Sequence, residues 1–578
     1  MHSGTPQALW NDTLDAAASE ERGVRFIAPD GSSGPFFSWS GLRRAAAAQA
    51  RRLARAGVGA GHHVALVGLT SPATVVAIRA VWLLGASVVV LPLPFRAMDP
   101  ELFLAQTRRR IAEAGTDFLL VEAGMAESVQ APWGHLPGPQ GSGGGCRVLP
   151  LESVEPGDAA TGHEAEAEIV PGAARQGRRP HSAIVQFTSG STAEPKPALI
   201  SHAALRHNVR GFLTRMGIRA ENDVAVSWLP LYHDMGLIGM LAGSMASGMD
   251  LVLWDPLSFA ASPGTWLRLI EQHRGTVVCA PNFAYGLAAR LLRLPQPYDL
   301  SSLRMCINGA EPIDGATMRG FLEAGRGHGI EPDVVQCVYG LAEAVLAVTS
   351  PVPGRGLRTV TVSGKELGQG GFAEPVDSAD ARELVLLGHP LDGLELQLRA
   401  PSGEPVGRRS VGEIHIRGAS TISGYLAEDD TVRPAVGADG WLATGDVGLL
   451  VDGELAVCGR LKDVIIIGGK NHYPSEFELA ASEVPGVRRG NVAAFGVERA
   501  ARERLVIACE VREEGADRRA TIRRQVADTV QERTGIPVAD VLLLGRGELP
   551  KTSSGKLRRA ATRALYLSAA ATTEEPSA

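Results

Sequence analysis

Between His63 and Leu91 the chain switches period twice. His63–Val67 is a short apolar run, Ala73–Leu84 repeats its apolar residues at helical spacing, and Ser87–Leu91 is β-branched and closed by Pro92. A helical run ending at Arg51–Ala56 precedes them. Strand, helix, strand at such short spacing leaves few folds open. The helix covers one face of a sheet and the strands on either side of it run parallel, so the pattern predicts βα units around a largely parallel sheet. The alternation resumes sharply at Ala183 and continues to about Ser350. Two irregular stretches interrupt it. Trp133–Pro180 contains the run Pro137–Gly145 and reads mostly as surface loop, and Pro351–Asp380 has no clear period. Strand-like segments follow at Leu384–Leu387, Leu394–Leu398 and Glu413–Arg417.

A chain of 578 residues is too long for one core. A boundary is expected near Gly459–Asp463. Beyond it, strands at Val464–Ile467, Val492–Phe495 and Leu505–Val511 and helices at Pro474–Ser482 and Ala520–Arg533 predict a small α+β unit. The last residues, Ser568–Ala578, are small and polar and are expected to be disordered.

Composition excludes several classes. Hydrophobic residues are 45% and charged residues 21%, the balance of a globular protein. Lys and Arg number 57 against 63 Asp and Glu, a net charge of −6, so no basic field draws the chain to nucleic acid. Cys146, Cys279, Cys306, Cys337, Cys458 and Cys509 are scattered without a CxxC, which points to a reducing compartment rather than a disulfide framework. Met1–Asn11 lacks a leader pattern. Ala80–Phe95 and Met235–Met249 fall short of the roughly 18–20 apolar residues of a spanning helix. A cytoplasmic protein that does not span a membrane is the expectation.

The first chemical signal follows the strand Ile184–Phe187. There the chain reads Thr188-Ser189-Gly190-Ser191-Thr192-Ala193-Glu194-Pro195-Lys196, and a helix capped by Ser201 comes after. Hydroxyls on both sides of a glycine, exposed backbone N–H groups and a lysine suit a polyphosphate. The order is not that of a Walker A loop. Read alone, it serves equally as a hydroxyl-rich turn.

Further segments then arrive in order: Trp228-Leu-Pro-Leu-Tyr-His-Asp234, Asn308-Gly-Ala-Glu-Pro312, Tyr339-Gly-Leu-Ala-Glu343, Thr444-Gly-Asp446, Gly459-Arg-Leu-Lys-Asp463 and Pro550-Lys-Thr-Ser-Ser-Gly-Lys556. With the hydroxyl loop, this series resembles the adenylate-forming superfamily of acyl-CoA synthetases, peptide-synthetase adenylation domains and luciferases, over about Trp10 to Leu565. Within it the chain is most similar to the fatty acyl-AMP ligases. The runs Trp228–Gly239, Ala280–Tyr285 and Gly469–Pro474 carry that wording, and the spacing from Tyr339 to Gly388 is long, with the excess in Leu357–Glu383. One departure is visible: where the family's loop has glycines, this chain has Ala193 and Pro197, which stiffens the loop and leaves its hydroxyls and Lys196 in place.

The resemblance implies a large N-terminal adenylation domain, residues 1–459, of parallel βα layers with a small β-barrel-like subdomain, and a small mobile C-terminal domain, 460–578. It implies ATP and Mg²⁺ as cofactors. The fatty acid would become acyl-AMP with release of pyrophosphate. The acyl group would then pass to the phosphopantetheine thiol of an acyl carrier protein, or of a polyketide or peptide synthase carrier domain. The extra segment, about 357–383, is the part that disfavours CoA in this branch. An acyl-CoA ligase, or an enzyme adenylating an unusual carboxylic acid in specialised metabolism, is the alternative.

The roles that the resemblance implies are these. Lys556 reaches the carboxylate and the α-phosphate; alone it reads as a solvated lysine of a basic tail. Glu343 holds the metal, since a hard cation prefers carboxylate oxygen. Thr188, Ser189, Gly190, Ser191, Thr192 and Lys196 hold phosphate. Gly309, Ala310, Glu311, Tyr339 and Gly340 face adenine, and Asp446 with Arg460 takes the ribose. His233 orients the carboxylate. Met235, Gly236, Ile238, Gly239, Phe283 and Tyr285 are the acyl-pocket candidates, which apolar periodicity alone would place in a core. Lys462 is the hinge, and Asn471 and His472 follow it toward the incoming thiol.

Overall fold

The computed structural model describes residues 6–93, 100–122, 145–156, 174, 180–188, 195–370, 381–407, 410–468, 470–499, 502–512, 515–552 and 555–573. Among these the predicted βα units build two large sheets. His63–Val67 is buried along its whole length and pairs in parallel with Ser87–Val90 on one side and Phe118–Glu122 on the other. The crossing helix, Pro72–Leu83, starts where the Ser71 hydroxyl accepts the Thr74 N–H and Pro72 pre-sets the first turn. It ends before Gly85, whose φ of 69° a side chain would resist. The eight-stranded sheet around it continues through Ile184–Thr188 and Lys196–Ile200 to the short strands Gly424–Leu426 and Val432–Pro434.

The second sheet has seven strands. Val335–Cys337, Met305–Asn308, Val277–Ala280, Val224–Ser227, Asp250–Leu253 and Gly23–Ile27 run parallel in that order, with Ser33–Ser38 antiparallel at the edge. Three of its strands end at Ala280, Asn308 and Cys337, and the chain beyond those carboxyl ends lines the cleft described below. In open α/β sheets that edge is where ligands sit. An antiparallel meander, Leu394–Arg399, Gly412–Gly418, Leu442–Val451 and Glu454–Arg460, stands where the small β subdomain is expected.

The C-terminal unit has its own core. Val487–Arg499 and Arg502–Val511 pair antiparallel, Val538–Leu544 adds in parallel, and the helices Pro474–Ser482 and Ala516–Thr534 bury Phe477, Ile522, Val526 and Val530 against them. The molecule is thus a mixed α/β protein with a large N-terminal and a small C-terminal domain. All six cysteines are free and buried. No described helix is long and apolar enough to cross a membrane.

Three expectations change. Arg147–Leu151, inside the stretch read mostly as loop, is an edge strand on Phe118–Glu122; Pro150 fits such an edge, where one N–H row is unused. Thr359–Ser363, inside the stretch read as irregular, pairs antiparallel with Ala381–Val385, and Gly364–Gly368 is a helical turn capped by Ser363. Its Thr-Val-Thr-Val alternation is a half-buried strand whose partner lies beyond residues 371–380, which are outside the described set. The expected tail is helical at its start. Helix Arg559–Thr573 runs past Ser568, sustained by alanine and leucine and anchored by Tyr566, whose hydroxyl donates to Asp540 Oδ2 at 2.8 Å. Residues 574–578 lie outside the described set.

Candidate active site

A cleft of about 3010 Å³ runs between the large body and the small domain. A pocket for one small molecule is roughly 300–1,000 Å³, so this space is larger than a single small ligand needs. Thr188, Lys196, His233, Met235, Gly239, Phe283, Ala310, Glu311, Tyr339, Gly340, Glu343, Asp446, Arg460, Lys462 and Lys556 all line it. Ser189, Gly190, Ser191 and Thr192 lie outside the described residues. Thr188 ends the strand before them, and its buried hydroxyl has no hydrogen-bond partner among the described residues.

Asp446 is held at both oxygens. The Tyr339 hydroxyl donates to Oδ2 at 2.8 Å and Arg460 Nε donates to Oδ1 at 3.1 Å. The strand register sets this up, since Asp446 and Arg460 are direct partners across the antiparallel pair. Burial pushes the Asp446 carboxyl up, while Arg460 and the Tyr339 hydroxyl pull it back.

Glu343 lies on a short helical turn, Ala342–Ala344, whose exit is a strained Val345 at φ 72°. Its Oε1 accepts the Tyr425 hydroxyl at 3.0 Å, and burial pushes its carboxyl up. Lys196 Nζ stands 5.6 Å from the centroid of the same Tyr425 ring. The described residues contain no cluster of three or more His, Cys, Asp or Glu arranged for a metal. A single hard carboxylate lining the cleft fits magnesium, which keeps most of its positions for water and phosphate oxygens.

Ala310 has φ 71°, a left-handed conformation that costs about 1–3 kcal/mol in a residue with a side chain. It turns the chain so that Glu311 faces the cleft, where Oε1 accepts the Phe283 N–H at 2.8 Å. Gly309 stands behind that wall; a Cβ there would come within 2.9 Å of Val338 Cγ2.

His233 precedes Met235–Ala242, a π-helical segment. Such wide turns gather at functional sites. Three of the acyl-pocket candidates do not line the cleft. Ile238 is fully buried and is not among the residues lining the cleft. Tyr285 is likewise core, donating its hydroxyl to Ile307 O at 2.8 Å and packing edge-on against Phe321. Gly236 is a packing glycine, since a Cβ there would meet Pro230 O at 2.2 Å. An apolar run of this kind has sides facing both the cleft and the core, and sequence period does not say which is which.

The small domain contributes Lys556. Its loop is closed locally: Thr552 N–H donates to Lys556 O at 2.8 Å, Lys556 N–H donates to Thr552 Oγ1 at 3.0 Å, and Gly555 takes φ 85°. Burial pushes the Lys556 amine down, while Asp234, Glu311 and Asp446 oppose that and Arg460 adds to it. Lys462 sits on the exposed turn Leu461–Asp463. His472 lines the cleft 3.4 Å from Glu476 Oε1, and Glu476 also pairs with Arg382 of the strand Ala381–Val385. Gly368 packs against Asn471, with room for no side chain: a Cβ would lie 2.8 Å from its carbonyl oxygen. Sequence reasoning misses Tyr425, because only tertiary pairing of Gly424–Leu426 with Lys196–Ile200 brings it beside Glu343.

The family model described as AMP-binding enzyme matches residues 15–426. A Mycobacterium tuberculosis protein carrying only the general name of a ligase is 34% identical over 530 residues, 90% of this chain and 93% of its own. A long-chain-fatty-acid–AMP ligase of Mycobacterium marinum is 35% identical over 411 residues, 66% of this chain and 69% of its own. A solved structure from a study of fatty acyl-adenylate ligases of E. coli and L. pneumophila superposes with a TM-score of 0.85 at 30% identity, covering 97% of this chain and 98% of that one. The chain belongs to the AMP-binding, adenylate-forming enzyme family, with fatty acyl-AMP ligases among the relatives whose sequence and fold it shares.

Proposed function

We propose that the protein activates a fatty acid with ATP to acyl-AMP and passes the acyl group to the phosphopantetheine thiol of a carrier protein or carrier domain. The observation that supports this best is the meeting, in one cleft, of Lys556 from the small domain with Tyr339, Glu343 and Asp446 from the body. A carboxylate is already a nucleophile, so the first step needs alignment and charge neutralisation rather than a base. Lys556 offsets the repulsion between the acid and the α-phosphate. Asp446 accepts the ribose hydroxyls, with Arg460 assisting. Ala310, Glu311, Tyr339 and Gly340 border adenine, with Gly309 behind them, and Thr188, Lys196 and residues 189–192 cradle phosphate. His233 orients the acid at the mouth of an acyl path lined by Met235, Gly239 and Phe283. Glu343 would hold Mg²⁺, which supplies positive charge to the phosphates. The two units divide at Gly459–Arg460, and Lys462 is the hinge that lets the small domain turn for the second step.

The carrier thiol, rather than CoA, is favoured by the strand pair Thr359–Ser363 and Ala381–Val385. This added segment contacts the small domain through Arg382 and Gly368 and restrains its turning. Fatty-acid-dependent exchange of pyrophosphate into ATP, run over a series of chain lengths, tests the first half. Its absence with every acid overturns the reading. Offering CoA and a phosphopantetheinylated carrier separately tests the second half, and efficient acyl-CoA formation overturns the carrier assignment.

A further inference from the structure

We infer that Glu510 is a positioning residue for adenylation: buried in the sheet of the small domain, its carboxylate fixes the root of the hairpin that carries Lys556. The inference rests on the proposed function and deepens it.

The hairpin is closed by its own bonds. Lys551 bridges Leu557 in antiparallel register, the Arg558 N–H donates to Pro550 O at 3.0 Å, and Thr552 and Lys556 are joined by the two bonds described above. A loop closed in this way moves as one piece, so the direction of Lys556 is decided at the root, just before Pro550. There the Gly547 N–H donates to Glu510 Oε1 at 2.9 Å, and the Leu549 N–H donates to the same oxygen at 3.3 Å. Glu510 Oε2 accepts Arg488 Nη1 at 2.5 Å. Leu549 is buried in one cluster with Phe495, Val506 and Tyr566. Apolar packing of that kind has no direction, and the two bonds to Glu510 supply one.

A carboxylate that is 1% exposed needs a reason. Val506 and Ala508 share its face of the strand Arg502–Val511 and are buried and apolar, so an apolar residue at 510 would serve the sheet. What an apolar residue would not do is accept two backbone N–H groups, and an ionised acceptor holds them about twice as strongly as a neutral one. The neighbouring strand also answers to this purpose. It bulges between Val487 and Val492, and Arg488, Arg489, Gly490 and Asn491 of the bulge line the cleft. Arg488 is the cation that neutralises Glu510. The same bulge takes the ammonium of Lys551, whose Nζ donates to Asn491 Oδ1 at 2.8 Å and to Gly490 O at 3.4 Å. The hairpin is thus held twice, at its root by Glu510 and at Lys551 by the bulge, before the chain reaches Lys556. A misplacement of about 1 Å can cost a reaction about 100-fold, so bonds remote from the phosphates govern the step that Lys556 serves.

Glu510→Leu and Glu510→Gln test this. Leucine keeps the bulk and removes the acceptor, whereas glutamine keeps a carbonyl oxygen for Gly547 and Leu549 and removes the charge. In ligand-free protein, hydrogen exchange over residues 545–558, read by mass spectrometry, should be several-fold faster with leucine and near the wild type with glutamine; unchanged exchange with leucine overturns the inference. In pyrophosphate exchange, kcat should fall about 10–100-fold with leucine, with little change in KM for ATP, and glutamine should recover most of the loss. Transfer from supplied acyl-AMP should be nearly unchanged in both variants. Equal losses in the two half-reactions, or a glutamine variant no better than leucine, overturn the assignment. In a Lys556→Gln background, Glu510→Leu should cost little more, because Glu510 acts through that lysine; an equal further loss there overturns it as well. Should Glu510→Leu not fold, Glu510→Asp keeps the charge and falls one methylene short of the two N–H groups, and the same split between half-reactions decides. If the wild type exchanges with no fatty acid, the functional reading fails, while hydrogen exchange still decides whether Glu510 holds the hairpin.

Discussion

The Tyr339 hydroxyl and Asp446 Oδ2 lie 2.8 Å apart, with the hydroxyl donating, and this bond joins the short strand Tyr339–Gly340, just past the parallel sheet, to the antiparallel meander. It holds in place the carboxylate assigned to the ribose. Tyr339→Phe removes one of its donors in a buried setting. A hydrogen bond to a charged group contributes about 1.5–3 kcal/mol, so KM for ATP should rise on the order of tenfold with kcat changing less. An ATP titration of pyrophosphate exchange checks this, and an unchanged KM would mean that Asp446 is oriented by Arg460 alone.

Lys556→Ala separates the two half-reactions. Adenylation should fall by about 100-fold or more, the scale lost when a charge aimed at a transition state is removed. Transfer from supplied acyl-AMP should fall far less, since in the proposed second step the small domain has turned and carried Lys556 away. Equal losses in both assays would make Lys556 a structural residue or one shared by the two steps.

Arg382 couples the added strand pair to the small domain through Glu476, and the two side chains are 21% and 9% exposed. Arg382→Ala leaves that glutamate without its cation and loosens the contact. Acyl-CoA formation should rise on the order of tenfold, the gain expected if about 1.4 kcal/mol of restraint is released. No gain in acyl-CoA, with the protein still folded, would detach the segment from acceptor choice.

His202 makes a prediction about stability. It is 2% exposed, neither ring nitrogen has a hydrogen-bond partner among the described residues, and burial brings its pKa down from 6.5 to about 4. The unfolded chain therefore takes up the proton first. Stability should be full above pH 6.5, fall as the pH drops toward about 4, and level off below that. The loss from this ring is on the order of 3 kcal/mol. Urea midpoints between pH 4 and 7 measure it, and His202→Leu should flatten that part of the curve.

Much of this was readable from residue pattern. His63–Val67 and Pro474–Ser482 appear in the structure with the bounds their periodicity suggests, because a fully buried strand and a helix with proline in its first turn carry their signals locally. The motif residues Tyr339, Glu343, Asp446, Arg460 and Lys556 also meet, although more than two hundred positions separate the first from the last. What escaped depends on partners distant in the chain. Thr359–Ser363 is a strand because Ala381–Val385 returns to it. Tyr425 matters because an edge strand carries it to Glu343. Ile238 and Tyr285 look like pocket residues in a list of apolar side chains, and only packing shows that they face inward.

Arg559 has a consequence for how force travels in this molecule. Its guanidinium grips both oxygens of Glu478, at 2.7 and 2.8 Å, and Asp463 at 3.0 Å. That clasp ties the residue just past Lys462 to the helix Pro474–Ser482, so in the proposed turning Asp463 would travel with the small domain as part of one lever. The proposed fulcrum would then be left with Arg460, Leu461 and Lys462, and Arg460 is itself tethered to Asp446. Tipping of that lever would therefore be felt at the same carboxylate that is proposed for the ribose.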